Sequence, residues 1–167
     1  MKNIILVFFL LAFTSNGISQ NYQHLDKIIL KDSIDYVENE ERVLECSNFI
    51  LGSSVDVIES SIKHLNALKF IIRWMEGTPN YLFNLDKSMM DATNSNSTLL
   101  SVLFAALTKT AIENKDVTKD SKTINYKSII TFINYCENKN NKVKQTKYIK
   151  KLIKAKNDNT LKEFIKS

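Results

Sequence analysis

Glycine and proline are scarce in this sequence, with three glycines and one proline among 167 residues. The tight turns of β-sandwiches and β-barrels depend on these two residue types, so the composition argues against such folds and is compatible with long helices. The length provides one domain with a real core and is too short for two. We therefore predict an all-α fold, a single compact bundle of five to six helices within residues 20–167.

Histidine and cysteine are also rare, with two of each: His24, His64, Cys46 and Cys136. None has the close spacing of a zinc site, the HExxH pattern is absent, and no glycine-rich phosphate loop occurs, so we predict no metal and no cofactor. In an oxidising compartment Cys46 and Cys136 could pair and close a loop of about 90 residues, worth roughly 4.5 kcal/mol. Both also lie in apolar helical patterns, where a free cysteine acts as a small buried hydrophobe.

The apolar run at the start of the chain is too short to span a membrane. Ile4–Phe13 has ten apolar residues, whereas a spanning helix needs roughly 20. The run follows Lys2 and precedes small polar residues, which is the order of a secretory signal peptide. We predict a signal peptide over residues 1–19, cleaved after Gly17 or, preferably, after Ser19. No cysteine precedes Cys46, which excludes lipid attachment at the cleavage site, and we expect a periplasmic or secreted protein without a stable membrane span.

Helical periodicity predicts where the helices lie. The first covers about Asp35–Leu51, with Val37, Leu44 and Leu51 on one stripe, and the second carries apolar residues at positions 58, 62, 65, 68, 72 and 75. Gly52 and Gly77 follow as left-handed helix ends. An extended linker over 78–85 leads to a short helix that Asp86 caps, and Asn94–Ser97 breaks that helix. Later helices start near Ser97, Ser121 and Val143, and the first of these three is apolar nearly all round, which is typical of a central helix.

The sequence contains two groups of residues that could be catalytic, and neither has the arrangement that a known mechanism needs. His64 lies one turn after Ser60 and Ser61, but such a pair on one helix provides neither an oriented base nor an oxyanion site. The acidic residues Glu38, Glu40, Glu41 and Glu45 could serve a glycoside hydrolase only if two of them faced each other across a cleft. A solvated helix face is the simpler interpretation.

The region around the only tryptophan concentrates aromatic residues. Trp74, Tyr81 and Phe83 lie within ten residues that also contain the only proline. They could form an aromatic binding surface for a peptide or a glycan. Alternatively, Trp74 and Phe83 attach the linker to the helix bundle.

The order of motifs here resembles a group of exported proteins. A helix, then W-M-E-G-T-P-x-Y-x-F over Trp74–Phe83, then L-L-x-V-L-F-A-A-L-T-K over Leu99–Lys109, is similar to small exported helical proteins of Bacteroidota that have no assigned activity. The resemblance covers about residues 46–113. It implies a periplasmic or secreted helical domain, and it implies no catalytic residue.

Charge is divided unequally along the chain. Residues 139–167 carry ten lysines against Asp158 and Glu163, whereas residues 21–138 carry 12 basic and 16 acidic residues. This asymmetry favours an acidic partner, either an envelope component or another exported protein, and the absence of arginine from residues 139–167 disfavours nucleic acid. Lysines at helical spacing lie opposite an apolar stripe of Ile149, Leu152 and Ile153. The stripe is expected either at a membrane interface or on the protein's own core. The candidate lysines are Lys147, Lys150, Lys151 and Lys154.

Three functions follow as hypotheses. The first is a binding protein of the cell envelope that uses the aromatic set and the C-terminal lysines. The second is a hydrolase of envelope polymers that uses Asp or Glu acids. The third is a structural module of a larger exported assembly. No catalytic residue is assigned in the sequence, and the first is our leading hypothesis.

Overall fold

The computed structural model describes residues 22–117 and 119–165, so the predicted signal peptide lies outside the described part. The described residues form helices and connecting segments without any strand, which confirms the all-α class. Five α-helices have more than ten residues and form the body of the fold, and the other four α-helices of the described part are shorter. The nine are α1 (Ser33–Glu38), α2 (Glu40–Leu51), α3 (Val55–Ser60), α4 (Ile62–Gly77), α5 (Lys87–Thr93), α6 (Ser97–Glu113), α7 (Ser121–Glu137), α8 (Lys147–Asn157) and α9 (Leu161–Phe164).

Helix α6 is the centre of the molecule, as its all-round apolar sequence predicts. Twelve of its seventeen residues are buried, and it packs against α2, α4 and α7. Small side chains at Ala105 and Ala106, both without exposed surface, allow neighbouring helices to approach closely. The buried side chains of the described residues join into one hydrophobic cluster around this helix.

Two of the predicted helices are each divided by a polar residue. Asn39 ends α1 and begins α2, and its side-chain amide donates to the Asp35 carbonyl at 2.8 Å. Ser61 takes an extended conformation, φ −112° and ψ 118°, between α3 and α4. Asn and Ser offer the backbone local hydrogen bonds that compete with helix continuation, so apolar periodicity runs across these breaks without detecting them.

The buried faces of α2 and α4 differ from the predicted stripes. In α4 the buried residues are His64, Ala67, Phe70, Ile71 and Trp74. In contrast, Ile62 and Leu65, which the periodicity assigns to the core, are 66% and 43% exposed. Helix α4 carries apolar residues on more than one side, so the strongest stripe in the sequence is not the one that meets α2 and α6.

The glycines at the helix ends do not adopt the left-handed conformation that we predicted. Gly52 has φ −85°, and no glycine in the described part has a positive φ. Asn94, Ser95, Lys142 and Asn159 take that conformation instead, with φ between 49° and 58°. The break predicted after α5 is therefore present, and asparagine at Asn94 provides it because its short polar side chain tolerates this region.

Candidate functional site

Helix α8 presents a row of lysines that we call the lysine face: Lys147, Lys150, Lys151 and Lys154. All four side chains are exposed. Thr146 fixes the start of the helix, because its hydroxyl oxygen accepts the Ile149 amide at 3.2 Å. The spacing i, i+3, i+4, i+7 places the four ammonium groups on one side of the helix. The lysine face thus points to solvent as one continuous strip.

The opposite side of α8 is buried against the protein itself. Ile149 and Leu152 have no exposed surface, and Ala155 is 5% exposed. The helix packs on α5, α7 and α9. Of the two positions predicted for its apolar stripe, the protein's own core is therefore the correct one, and the stripe is not available to a membrane interface.

Some lysines on and near α8 are paired with carboxylates of the described residues, whereas most lysines of the lysine face are not. Lys142 pairs with Asp56 at 2.7 Å, and Lys156 pairs with Glu137. In the lysine face, Lys154 pairs with Asp158 at 2.5 Å, whereas Lys147, Lys150 and Lys151 make no ion pair among the described residues. Three adjacent uncompensated charges give this strip its positive potential.

Two of the three aromatic residues are buried and the third, Phe83, is partly buried, which argues against their interpretation as an exposed binding surface. Trp74 has no exposed surface and Tyr81 is 8% exposed, and the Trp74 indole N–H donates to the Tyr36 carbonyl at 2.9 Å. The ring centroids of Tyr81 and Phe83 lie 5.1 and 6.1 Å from that of Trp74. The three rings attach the extended segment 78–86 to the bundle, which was the alternative interpretation.

One acid of the N-terminal cluster is not on a solvated face. Glu40 is 9% exposed, and its carboxylate accepts the Tyr81 hydroxyl at 2.8 Å and the Lys115 ammonium at 2.6 Å. Burial and the bond to Glu40 raise the pKa of Tyr81. Glu40 thereby connects three distant parts of the chain. Glu38 and Glu41, which are close to Glu40 in the sequence, are exposed.

Two carboxylates do line a common cavity of about 610 Å³, but both are occupied as helix caps. Asp86 accepts the Met89 amide at 3.0 Å, and Asp120 accepts the Thr123 amide at 3.2 Å. The Thr123 hydroxyl and amide lower the pKa of Asp120. A glycosidase needs one carboxyl with a raised pKa as general acid. The pKa of Asp120 is shifted in the opposite direction, so Asp120 does not fit the role of general acid.

His64 contacts a serine other than the two predicted. Its Nε2 lies 2.8 Å from the Ser53 hydroxyl oxygen, and its ring stacks on Phe49 with a centroid distance of 4.0 Å. The residue is 3% exposed, and burial lowers its pKa. Ser60 donates to the Asp56 carbonyl at 2.9 Å instead. The His64–Ser53 contact joins distant turns, which periodicity cannot detect.

Cys46 and Cys136 are free thiols in the structure, and both are buried. Burial raises the pKa of each to about 12. In the structure each cysteine is therefore a small buried hydrophobic residue and not half of a disulfide. Among the described residues no group of His, Cys, Asp and Glu side chains could hold a metal ion, and no helix there has the length and apolar character needed to cross a bilayer.

Comparisons with protein-family models, with curated proteins and with solved structures found no match for this chain. The features of the described part that bear on function are the lysine face and the cavities.

Proposed function

We propose that this chain acts as an exported binding protein that contacts anionic material of the cell envelope through the lysine face. The observation that supports this most directly is the exposed row of four lysines on a helix whose other side is buried. Export itself is inferred from the sequence of residues 1–19.

The geometry favours peripheral contact without insertion. Four lysines over eight residues of helix span about 10 Å, because each residue advances the helix by about 1.5 Å. Each lysine near an anionic membrane surface contributes about 1 kcal/mol at physiological ionic strength. Because Ile149 and Leu152 remain in the core, binding depends on charge alone. We expect it to weaken strongly as salt shortens the screening length.

A charge-matched pair of variants tests the proposal. In the test variant Lys147, Lys150, Lys151 and Lys154 are changed to Gln. In the control variant the exposed residues Lys27, Lys31, Lys63 and Lys69 are changed to Gln, which alters net charge equally at a different place. Co-sedimentation with phosphatidylglycerol-containing vesicles, and with purified envelope fractions, is measured at low and at physiological salt.

The test variant should lose at least about tenfold in retention, since about 1 kcal/mol per lysine is removed. The control variant should remain within about twofold of the unchanged protein. Equal retention of all three proteins at low salt, or an equal loss in both variants, would show that the lysine face is not the contact.

A further inference from the structure

A second cavity, which we call the His64 cavity, lies where α3, α4 and the first turns of α6 meet. It has a volume of about 510 Å³, within the range of about 300–1,000 Å³ for small-ligand sites. Ile62 and Leu65, which α4 turns away from the core, line it and are 66% and 43% exposed. Large exposed apolar side chains at the mouth of a cavity are characteristic of a surface that an apolar ligand covers.

Glu59 is the one charged group in this lining, in which the described part of the chain places no lysine or arginine. One of its carboxylate oxygens accepts the Thr98 hydroxyl at 3.1 Å. The other has no hydrogen-bond or ion-pair partner among the described residues. An anionic ligand would therefore meet repulsion, and a cationic group would find an acceptor with a free oxygen.

His64 also lines this cavity, and its protonation state bears on the charge of the site. The Ser53 hydroxyl donates to the Phe49 carbonyl at 2.8 Å, so its oxygen must accept from His64, and the imidazole proton is on Nε2. His64 Nδ1 then carries a lone pair, and it is buried without a partner in the described part. Burial lowers the pKa of His64, which keeps the ring neutral near pH 7. The ring therefore does not supply the positive charge that an anion would need.

We propose that the His64 cavity binds an aliphatic primary amine, whose ammonium group is held by Glu59 and whose hydrocarbon chain packs on Ile62, Leu65 and Leu68. The carboxylate provides charge-assisted hydrogen bonds, and the apolar side chains become covered on binding. This site is separate from the lysine face and takes a ligand of the opposite charge.

Three probes of equal chain length test the proposal by titration of the ¹⁵N-labelled protein: hexylammonium, 1-hexanol and hexanoate. Hexylammonium should shift the amide signals of Glu59 and Leu65 and the ring signals of His64 in a saturable manner. The alcohol should bind more weakly, and hexanoate should leave these signals unchanged. Non-specific attraction would give the reverse order, since the chain carries a net charge of +5.

Two variants and two controls identify the groups involved. Glu59→Gln keeps an oxygen for Thr98 and should weaken binding of the amine about threefold, as expected for an exposed ion pair. Leu65→Asn should weaken both the amine and the alcohol. Glu41→Gln, which removes an exposed carboxylate on α2, should leave binding unchanged, and so should the quadruple variant of the lysine face. Equal binding of hexanoate, or an amine affinity that Glu59→Gln leaves unchanged, would overturn the proposal.

Discussion

Gly77 lies in the last turn of α4, directly against the ring of Tyr36. A Cβ atom at this position would lie 2.8 Å from Cε1 of that ring and nearer still to its hydroxyl end. The Tyr36 hydroxyl donates to the Leu30 carbonyl at 3.2 Å, and the Tyr36 carbonyl accepts the Trp74 indole. Glycine is thus required here by close packing. The backbone conformation does not require it, because the φ of Gly77 is not positive.

We expect Gly77→Ala to lower the free energy of unfolding by about 1–3 kcal/mol, the usual cost of overpacking. Urea denaturation measures it. Gly52→Ala provides the comparison, and its effect should be smaller because the added Cβ would lie 3.0 Å from the Asn48 carbonyl oxygen and would meet no ring. In a Tyr36→Leu background the cost of Gly77→Ala should fall, because the clashing ring is gone. An unchanged cost in that background would contradict the packing explanation.

The buried thiols make a separate prediction about pH. Because their pKa is raised from 9.0 to about 12, Cys46 and Cys136 should not react with Ellman's reagent in the native protein at pH 8, and unfolding without reductant should release two reactive thiols. The folded protein holds these protons more tightly than the unfolded chain does. The associated stability is complete below pH 9 and is lost as the pH rises toward 12. Fewer than two thiols on unfolding would instead indicate the disulfide.

At the scale of elements, the sequence predicts best those helices whose apolar residues allow only one choice of buried side. Helix α6 is apolar all round and must be central, and α8 has a single apolar stripe with lysines opposite. Helix α4 has two apolar sides, so periodicity alone cannot decide that Phe70 and Trp74 are buried while Ile62 and Leu65 are exposed. Tertiary contacts with α2 and α6 make that choice, and the His64 cavity results from it. No pattern within one helix could have located the contacts of Glu40 with Tyr81 and Lys115.

The packing of α8 on its own core can be tested with two neighbouring residues. Leu152 has no exposed surface, and Ile153, with the same number of carbons, is only partly buried. Leu152→Ala should lower the free energy of unfolding by about 3 kcal/mol, through lost burial and a cavity, and Ile153→Ala by a smaller amount. Thermal and urea denaturation measure both. Equal, small effects would mean that α8 is only loosely attached to the bundle.

At the scale of the whole molecule, the unequal distribution of charge is compensated only in part. The pair Lys142–Asp56 joins the lysine-rich region after residue 139 to the acidic region before it, whereas Lys115–Glu40 connects two distant parts of the acidic region. Lys142–Asp56 is an exposed pair, which contributes about 0–1 kcal/mol, so it does not explain the excess of lysine after residue 139. The excess is most useful where the surroundings are anionic, which links the lysine face to the predicted export.

Export can be tested through the ten-residue apolar run. Phe9→Lys places a charge in the middle of Ile4–Phe13, and the segment should then no longer be recognised as a signal peptide, because an uninterrupted apolar core of about 7–15 residues is required. The unchanged chain should be recovered outside the cytoplasm with Gln20 as its first residue, or Ile18 if cleavage follows Gly17. The variant should remain inside with its N-terminus intact. Cell fractionation with mass spectrometry of the N-terminal peptide separates these outcomes, and Asn140→Lys, at an exposed site far from the apolar run, controls for the added charge. If the unchanged chain were found only in the cytoplasm with residues 1–19 attached, the lysine face would have to find its anionic partner inside the cell.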